Sequence, residues 1–352
     1  MFYPSAEDFT KLAQKGNLIP VYKEIFADLE TPVSAFLKIE SENSFLLESV
    51  EQGENIARYS FIGSKPFLKF TAKKDPYQEL KNLLKKYKPV TYPGLPPFHG
   101  GAVGYFSYDS VRCLEEVPDN KSDDLNLPLA QFLLTDTILA FDHVQHKILV
   151  ISNALVKNDP KKAYAQAQKK IEHLINKLKK AQPLHTFLET NSQVDASKIR
   201  SNMNQDEYKK IVEKAKEYIK AGDIFQVVLS QRFEKDFKGN PFQIYRKLRG
   251  INPSPYMFYL KFGNTRIIGS SPEILTRLQG RTATVRPIAG TRKRGRTKDE
   301  DQSLEKELLA DKKELAEHIM LVDLGRNDLG RVCRPGTVHT TNLKTIERYS
   351  HV

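Results

Sequence analysis

The chain has 352 residues, 39% hydrophobic and 28% charged, which is long enough for a large core or two domains. No apolar run approaches the ~20 residues that span a bilayer, and the acidic N-terminus has no apolar signal region. The two cysteines, Cys113 and Cys333, lie far apart and form no CxxC pair, so we expect a reduced, cytoplasmic protein without a disulfide framework, zinc site or membrane segment.

The net charge of +12 raises nucleic acid as a partner. However, no helix-turn-helix, RNP or zinc-finger pattern occurs. The basic clusters at 81–88, 176–180 and 292–296 are mixed with amphipathic helix patterns. We therefore expect mostly solvated basic surface and no nucleic-acid partner.

The first half of the chain alternates helical and β-type segments. Thr31-Pro32 resembles an N-cap with proline at the first helical position, and Asn158-Asp159-Pro160 starts a second such helix. HGGAVGY (99–105) is not a GxGxxG motif and predicts a tight turn into a strand. The predicted helices are 5–15, 32–39, 76–87 and 160–180, and the predicted strands are 43–50, 57–63, 66–72, 135–142 and 147–154.

The second half follows a polar stretch at 181–203 that we interpret as a linker. The predicted helices are 205–221, which stops at Gly222, then 241–249, 299–310 and 312–324. The predicted strands are 224–233, 256–262, 265–270 and 281–286. Strands and helices do not alternate regularly, which favours an antiparallel α+β fold over a Rossmann sheet.

Two carboxylates in the last of these helices suggest a metal site. Glu314 and Glu317 are three residues apart and therefore share one helix face. A divalent cation held through one or two carboxylates, with water and substrate on its other positions, is the usual Mg²⁺ arrangement. The alternative is a solvated face, because Lys312 and Lys313 lie beside the pair.

Seven segments carry the strongest signal. They are LLESVEQGENIARYSFIG (46–63), GGAVGYFSYD (100–109), GDIFQVVLSQRF (222–233), NPSPYMFYL (252–260), GSSPE (269–273), RPIAGTRKRGRT (286–297) and ELAEHIMLVDLGRND (314–328). In this order and roughly this spacing they resemble anthranilate synthase component I, of the chorismate-utilising enzyme family. One block would be weak evidence, whereas seven in order make coincidence hard to sustain.

The resemblance implies a largely antiparallel β-sandwich with helices packed outside. It also implies an N-terminal regulatory domain at 1–180, the linker at 181–203, and the first part of a chorismate-binding catalytic domain at 204–352. In the family the chain continues beyond IERYSHV, so we expect a C-terminally truncated fragment that is incomplete at that end and inactive alone.

The resemblance also assigns roles around the substrate. Glu273 resembles the acid that protonates the departing hydroxyl, although Pro272-Glu273 would also suit the first turn of a helix. Gly290 and Thr291 resemble the turn that binds a substrate carboxylate. Glu314 and Glu317 resemble half of the Mg²⁺ cage. His318 is interpreted as helix packing or a substrate-side contact.

Two neutral residues indicate the nucleophile. Relatives that add water carry a lysine base where this chain has Gln226, and ammonia needs no such base. Aminodeoxychorismate synthases typically carry a covalent lysine where this chain has Ala289. The pair favours direct ammonia addition, although either residue could serve packing and some aminodeoxychorismate synthases lack the lysine.

LLES (46–49) and NPSPYM (252–257) resemble the family's tryptophan feedback pocket. Glu48 or a nearby backbone carbonyl is expected to take the ammonium group and Ser49 to supply a hydroxyl. Pro255, Tyr256 and Met257 are expected to form an apolar wall. Without the resemblance, Leu46-Leu47 would be core strand and NPSP a turn.

The expected function is therefore the large subunit of an anthranilate synthase. It would convert chorismate and ammonia to anthranilate and pyruvate with Mg²⁺, in a hetero-oligomer with a glutamine amidotransferase subunit and under tryptophan inhibition. The alternatives are aminodeoxychorismate synthase component I and a non-catalytic tryptophan-binding module. His351 is a neighbour of the family's catalytic histidine and not its equivalent.

Overall fold

A computed structural model of the chain describes residues 1–49, 58–119, 122–180, 196–349 and 351–352. Residues 181–195 of the predicted linker lie outside the described residues, as do residues 50 and 57 of two predicted strands. The chain divides into two compact units, Met1–Gln182 with Ile244–Val352, and Pro183–Gln243. The predicted domain boundaries at 180 and 204 stay a prediction.

The larger unit is built on a seven-stranded sheet in which every neighbouring pair is antiparallel. Its strand order is β1-β8-β7-β3-β2-β11-β12. These strands are β1 (Leu18–Phe26), β2 (Asn43–Glu48), β3 (Tyr59–Ser64), β7 (Thr137–Asp142), β8 (Lys147–Leu155), β11 (Tyr256–Phe262) and β12 (Thr265–Ser271).

A second antiparallel sheet has the order β4-β6-β5. Its strands are β4 (Leu68–Thr71), β5 (Gly101–Phe106) and β6 (Ala130–Thr135). Gly100 and Gly101 have φ values of 137° and 129°, so HGGAVGY does form a turn into a strand, as predicted. The hairpin β13 (Arg277–Gln279) with β14 (Thr282–Thr284) completes this unit's β-structure among the described residues.

The two sheets bury a common core, which gives the sandwich. Phe45, Ile138 and Leu260 of the seven-stranded sheet lie in one apolar cluster with Leu133 of the smaller sheet. All six residues of β6 are buried, because helix α3 (Pro76–Leu84) covers its other face with Leu80. The predicted α+β fold with a largely antiparallel sandwich and outer helices is confirmed.

Helix starts follow their caps. Thr31 forms a capping box with Ser34, and the Asp159 side chain accepts a hydrogen bond from the Lys162 N–H, so both predicted proline starts are confirmed. The helices are α1 (Ala6–Leu12), α2 (Pro32–Ile39), α3 (Pro76–Leu84), α4 (Pro160–Leu178), α5 (Gln205–Ala221), α6 (Pro241–Ile251), α7 (Lys298–Ala310) and α8 (Lys312–Gly330). In this described part of the chain, no helix has the length and apolarity to cross a membrane.

The smaller unit contains α5 and a short antiparallel pair, β9 (Arg200–Ser201) with β10 (Phe233–Glu234). Helix α5 ends at Gly222, whose φ of 83° is the left-handed C-cap that the sequence predicted. The predicted strand at 224–233 is wrong, because this segment is irregular up to Phe233. Similarly, the predicted strand at 281–286 shortens to the three residues of β14.

Candidate active site

A cavity of about 1020 Å³ opens in the larger unit. Its wall brings together segments that are distant in sequence. They are the NPSPY turn at the start of β11, the residues after β12, the RPIAGTRKR segment, helices α7 and α8, and residues within 337–349 and 351–352. Ala289, Gly290, Thr291, Glu314 and His318 are among the lining residues.

Gly290 brings the backbone of this wall against α8. Its φ of 79° lies in the left-handed region, where a side chain is strained. A Cβ atom at this position would lie 3.1 Å from Glu314 Oε2 and 3.2 Å from Leu308 Cδ1. The close approach therefore depends on glycine, and it puts the Gly290-Thr291 turn beside the Glu314 carboxylate.

The start of α8 positions the carboxylate pair. The Asp311 side chain caps this helix by accepting hydrogen bonds from the N–H groups of Lys313 (2.9 Å) and Glu314 (3.2 Å). Glu314 and Glu317 then lie in the first turns of the helix, and both are partly buried. The predicted helix is confirmed and neither side chain is fully exposed, but only Glu314 lines the cavity; Glu317 is not among its lining residues.

Arg292 connects this helix to the turn. Its Nε lies 2.7 Å from Glu307 Oε1, its Nη2 lies 2.7 Å from Asp311 Oδ2, and its Nη1 lies 3.6 Å from Glu314 Oε1. The guanidinium lowers the pKa of the Asp311 carboxyl, and Glu307 and Asp311 raise the pKa of Arg292. Arg292 was not predicted as a site residue.

The segment 292–296 is largely exposed, as the sequence suggested, at Lys293, Arg294 and Arg296, whereas Arg292 is partly buried. Arg294 donates hydrogen bonds to both carboxylate oxygens of Asp301, at 3.0 Å each, and to the Tyr349 carbonyl at 2.7 Å. Helices α7 and α8 carry the acidic residues that neutralise this run. The sequence signal for this pairing is the acidic stretch DEDQSLEKE, which follows the basic stretch RKRGR at short range.

The carboxylate pair fits a divalent cation only as part of a ligand set. Glu314 and Glu317 offer the hard oxygen donors that such ions take. Among the described residues, no group of three or more acidic, histidine or cysteine side chains is arranged to hold a metal ion. The pair therefore fits an ion that completes its coordination with water and substrate.

Glu273 joins two of the sequence blocks. It is exposed, it follows the end of β12 at Ser271, and its Oε1 accepts a hydrogen bond from the Ile288 N–H at 2.9 Å. No helix begins at Pro272, so the alternative role as a helix cap is wrong. Pro272 and Ile274 line the cavity on either side of it.

Gln226 belongs to the smaller unit. It is exposed there and lies in the irregular segment that follows α5. Ala289, in contrast, lies in the cavity wall directly before Gly290.

The LLES (46–49) and NPSPYM (252–257) blocks meet in the seven-stranded sheet. Glu48 lies opposite Met257 in the β2–β11 register. The Glu48 side chain is only 2% exposed; it accepts a hydrogen bond from the Tyr245 Oη at 2.6 Å and pairs with the Arg249 Nε at 3.2 Å. Burial raises the pKa of the Glu48 carboxyl against the opposing effects of Arg249 and Tyr245, and it also raises the pKa of Tyr245.

The polar atoms around this junction are incompletely paired. Ser49 Oγ and Ser254 Oγ are buried and have no hydrogen-bond partner among the described residues. Pro255 and Met257 are buried beside them, and the Tyr256 hydroxyl accepts a hydrogen bond from Arg277 at 3.1 Å. Tyr245 and Arg249 were not predicted, although both lie on α6 immediately before the NPSPYM block.

Comparison with known proteins gives consistent matches. The profile of the chorismate binding enzyme family matches residues 42–352. Anthranilate synthase component 1 of Acetivibrio thermocellus is 48% identical over 100% of this chain and 76% of that protein. Anthranilate synthase component 1 of Aquifex aeolicus is 47% identical over 99% of this chain and 74% of that protein. The crystal structure of anthranilate synthase component I from Streptococcus pneumoniae matches with a TM-score of 0.73 and 31% identity, covering 93% of this chain and 73% of that one.

Proposed function

Since the chain belongs to the chorismate-binding enzymes and, among them, to the anthranilate synthase component 1 group, we propose that the cavity around Gly290, Thr291 and Glu314 binds chorismate. The observation that carries this proposal is the left-handed turn at Gly290, packed against the Glu314 carboxylate. The turn offers backbone N–H groups and the Thr291 hydroxyl to a substrate carboxylate, while α8 offers oxygen ligands to a cation beside it.

The reaction requires ammonia to add at C2 of chorismate, the 4-hydroxyl to leave as water, and pyruvate then to be eliminated. Glu314 and Glu317 would hold Mg²⁺, which when bound supplies positive charge that neutralises the ring carboxylate and polarises the ring. Glu273 would donate a proton to the departing hydroxyl oxygen, because hydroxide is a poor leaving group. Its hydrogen bond from the Ile288 N–H aligns this carboxyl with the segment that carries the turn.

Ammonia is the proposed nucleophile, supplied by a glutamine amidotransferase subunit in a hetero-oligomer. Ala289 supports this choice, because the methyl group in the cavity wall cannot attack C2 as a lysine amine could. Gln226 supports it through the family resemblance alone, because an uncharged amide cannot serve as the base that water addition would need.

The test is product analysis with the full-length protein. Chorismate, MgCl₂ and ammonium salt are expected to give anthranilate and pyruvate in equal amounts, measured by fluorescence and by a lactate dehydrogenase assay. Isochorismate or 4-amino-4-deoxychorismate as the main product would contradict the proposal. A control without ammonium salt should yield no anthranilate.

We further propose that tryptophan inhibits by binding where LLES meets NPSPYM. The hydroxyls of Ser49 and Ser254, for which the described residues supply no hydrogen-bond partner, provide polar atoms, and Pro255 and Met257 provide an apolar wall for such a ligand. The Glu48 carboxylate already contacts Tyr245 and Arg249, which favours a backbone carbonyl as an additional partner of the ligand's ammonium group.

Ser49→Phe is expected to weaken tryptophan inhibition by more than about tenfold, because a phenyl ring placed at a buried hydroxyl fills the space the ligand would use. The inhibition constant is measured for each variant against its own uninhibited rate. Ser49→Ala is the matched control; it keeps the space, so its inhibition should stay closer to the wild type. Equal inhibition of the wild type and Ser49→Phe would show that these blocks are only structural.

A further inference from the structure

Arg292 is held by three carboxylates that come from two helices. Two contacts, to Glu307 of α7 and to the α8 cap Asp311, have hydrogen-bond length. The third, to Glu314, is longer at 3.6 Å. The side chains of Arg292 and Glu314 are only 22% and 24% exposed, so water screens this pair incompletely.

Only one of the three carboxylates that contact Arg292 faces the cavity. Glu314 lines the cavity, whereas Glu307 and Asp311 are not among the lining residues. A cation that enters from the cavity therefore meets Glu314. If Glu314 turns to that cation, Arg292 keeps its two shorter contacts, and its fork geometry allows this because each nitrogen serves a different carboxylate.

We propose that Arg292 is a positioning residue that holds Glu314 in the metal-free protein and competes with Mg²⁺ for it, thereby setting the affinity for the metal. This inference rests on the proposed role of Glu314 as a metal ligand. Its basis is a positive charge 3.6 Å from a ligand oxygen, beside the Gly290 turn that closely approaches the same carboxylate.

Two consequences follow for the metal site. The guanidinium neutralises Glu314 when no cation is present, so the carboxylate does not repel Glu317 or an incoming dianionic substrate. The same charge repels a divalent ion at close range, which weakens binding in the absence of substrate. A cation accompanied by a substrate carboxylate has less net charge and is repelled less.

The test measures metal binding without turnover. Mn²⁺ takes the same oxygen ligands as Mg²⁺, and its free concentration can be read from the electron paramagnetic resonance signal. In the full-length protein without chorismate, Arg292→Gln is expected to bind Mn²⁺ about tenfold more tightly than the wild type, because a repelling charge is gone. Arg292→Lys keeps the charge and is expected to stay within about threefold of the wild type.

Arg294→Gln is the matched control. It removes the same charge two residues away, but Arg294 pairs with Asp301 and the Tyr349 carbonyl and has no contact to Glu314 among the described residues. Its Mn²⁺ affinity should match the wild type. Unchanged or weaker binding by Arg292→Gln would overturn the inference, provided that circular dichroism shows the variant to be folded.

A double variant separates this inference from the proposed function. If the gain in Arg292→Gln acts through Glu314, then Arg292→Gln with Glu314→Gln loses it. If Glu314→Gln alone leaves Mn²⁺ binding unchanged, the metal role of Glu314 fails instead, whatever Arg292 does. If the Arg292→Gln variant does not fold, Arg292→Met removes the same charge. The same tenfold gain in Mn²⁺ affinity is then expected for Arg292→Met.

Discussion

Glu317→Gln is expected to lower kcat/KM for chorismate by about a thousandfold, equivalent to about 4 kcal/mol of transition-state stabilisation. Glutamine preserves the size of the side chain and removes one negative charge from the α8 face that it shares with Glu314. Metal affinity should fall in the same variant, and raising the MgCl₂ concentration should recover part of the activity. Anthranilate fluorescence over a range of chorismate and MgCl₂ concentrations measures both effects.

Asp323→Asn provides the control for Glu317→Gln. Asp323 lies on the same helix, nine residues after Glu314, in an exposed ion pair with Arg326, so its replacement removes an equal charge from α8. It should change kcat/KM by less than about threefold, because exposed ion pairs contribute little. Equal losses in the two variants would mean that only the charge of the helix matters, and the proposed metal site would be wrong.

Glu273→Gln is expected to reduce kcat by between about a hundredfold and ten thousandfold, the range for loss of a general acid. The amide oxygen of glutamine can still accept the hydrogen bond from the Ile288 N–H. The variant therefore keeps the structural contact and loses the proton that the leaving hydroxyl needs. Steady-state kinetics at saturating chorismate would measure the change.

Glu273→Ala separates the two roles of this residue. It removes both the proton donor and the acceptor for the Ile288 N–H. We therefore expect the KM for chorismate to rise and kcat to fall. If Glu273 has only a structural role, Glu273→Gln should retain activity within about threefold of the wild type. Glu273→Ala should then lose most of its activity. That pattern would eliminate Glu273 as the acid.

The sequence predicts much of the fold where the signal is local. Caps and prolines give the starts of α2 and α4, and Gly222 gives the end of α5, because each satisfies or breaks helical hydrogen bonds within a few residues. In contrast, β1 and β6 were not predicted. Strand β1 contains Pro20, and β6 is buried along its whole length, so it lacks the alternation of a half-exposed strand. The segment 224–233 has β-type composition, but composition does not supply a pairing partner.

The candidate site residues likewise fall into those that the sequence predicts and those that it does not. Glu314, Glu317 and Gly290 could be predicted as site residues because their spacing and motif lie within one stretch of chain. Arg292 and Tyr245 could not be identified, because their roles depend on partners that only the folded chain brings near, such as Glu48, which is 197 residues from Tyr245. The helix-cap alternative for Glu273 could be decided only from the backbone after β12.

The pairing of β2 with β11 has a consequence for how the chain is made. The ribosome adds residues at about 5–20 per second, so Met257 emerges roughly ten to forty seconds after Glu48, the residue opposite it. During that interval β2 has an open edge with unpaired N–H and C=O groups, which can bind another nascent chain. The first 180 residues contain no β11, so on their own they would retain this open edge and lack the strand that carries Met257. Formation of the proposed tryptophan site and completion of the central sheet therefore depend on the same late event in synthesis.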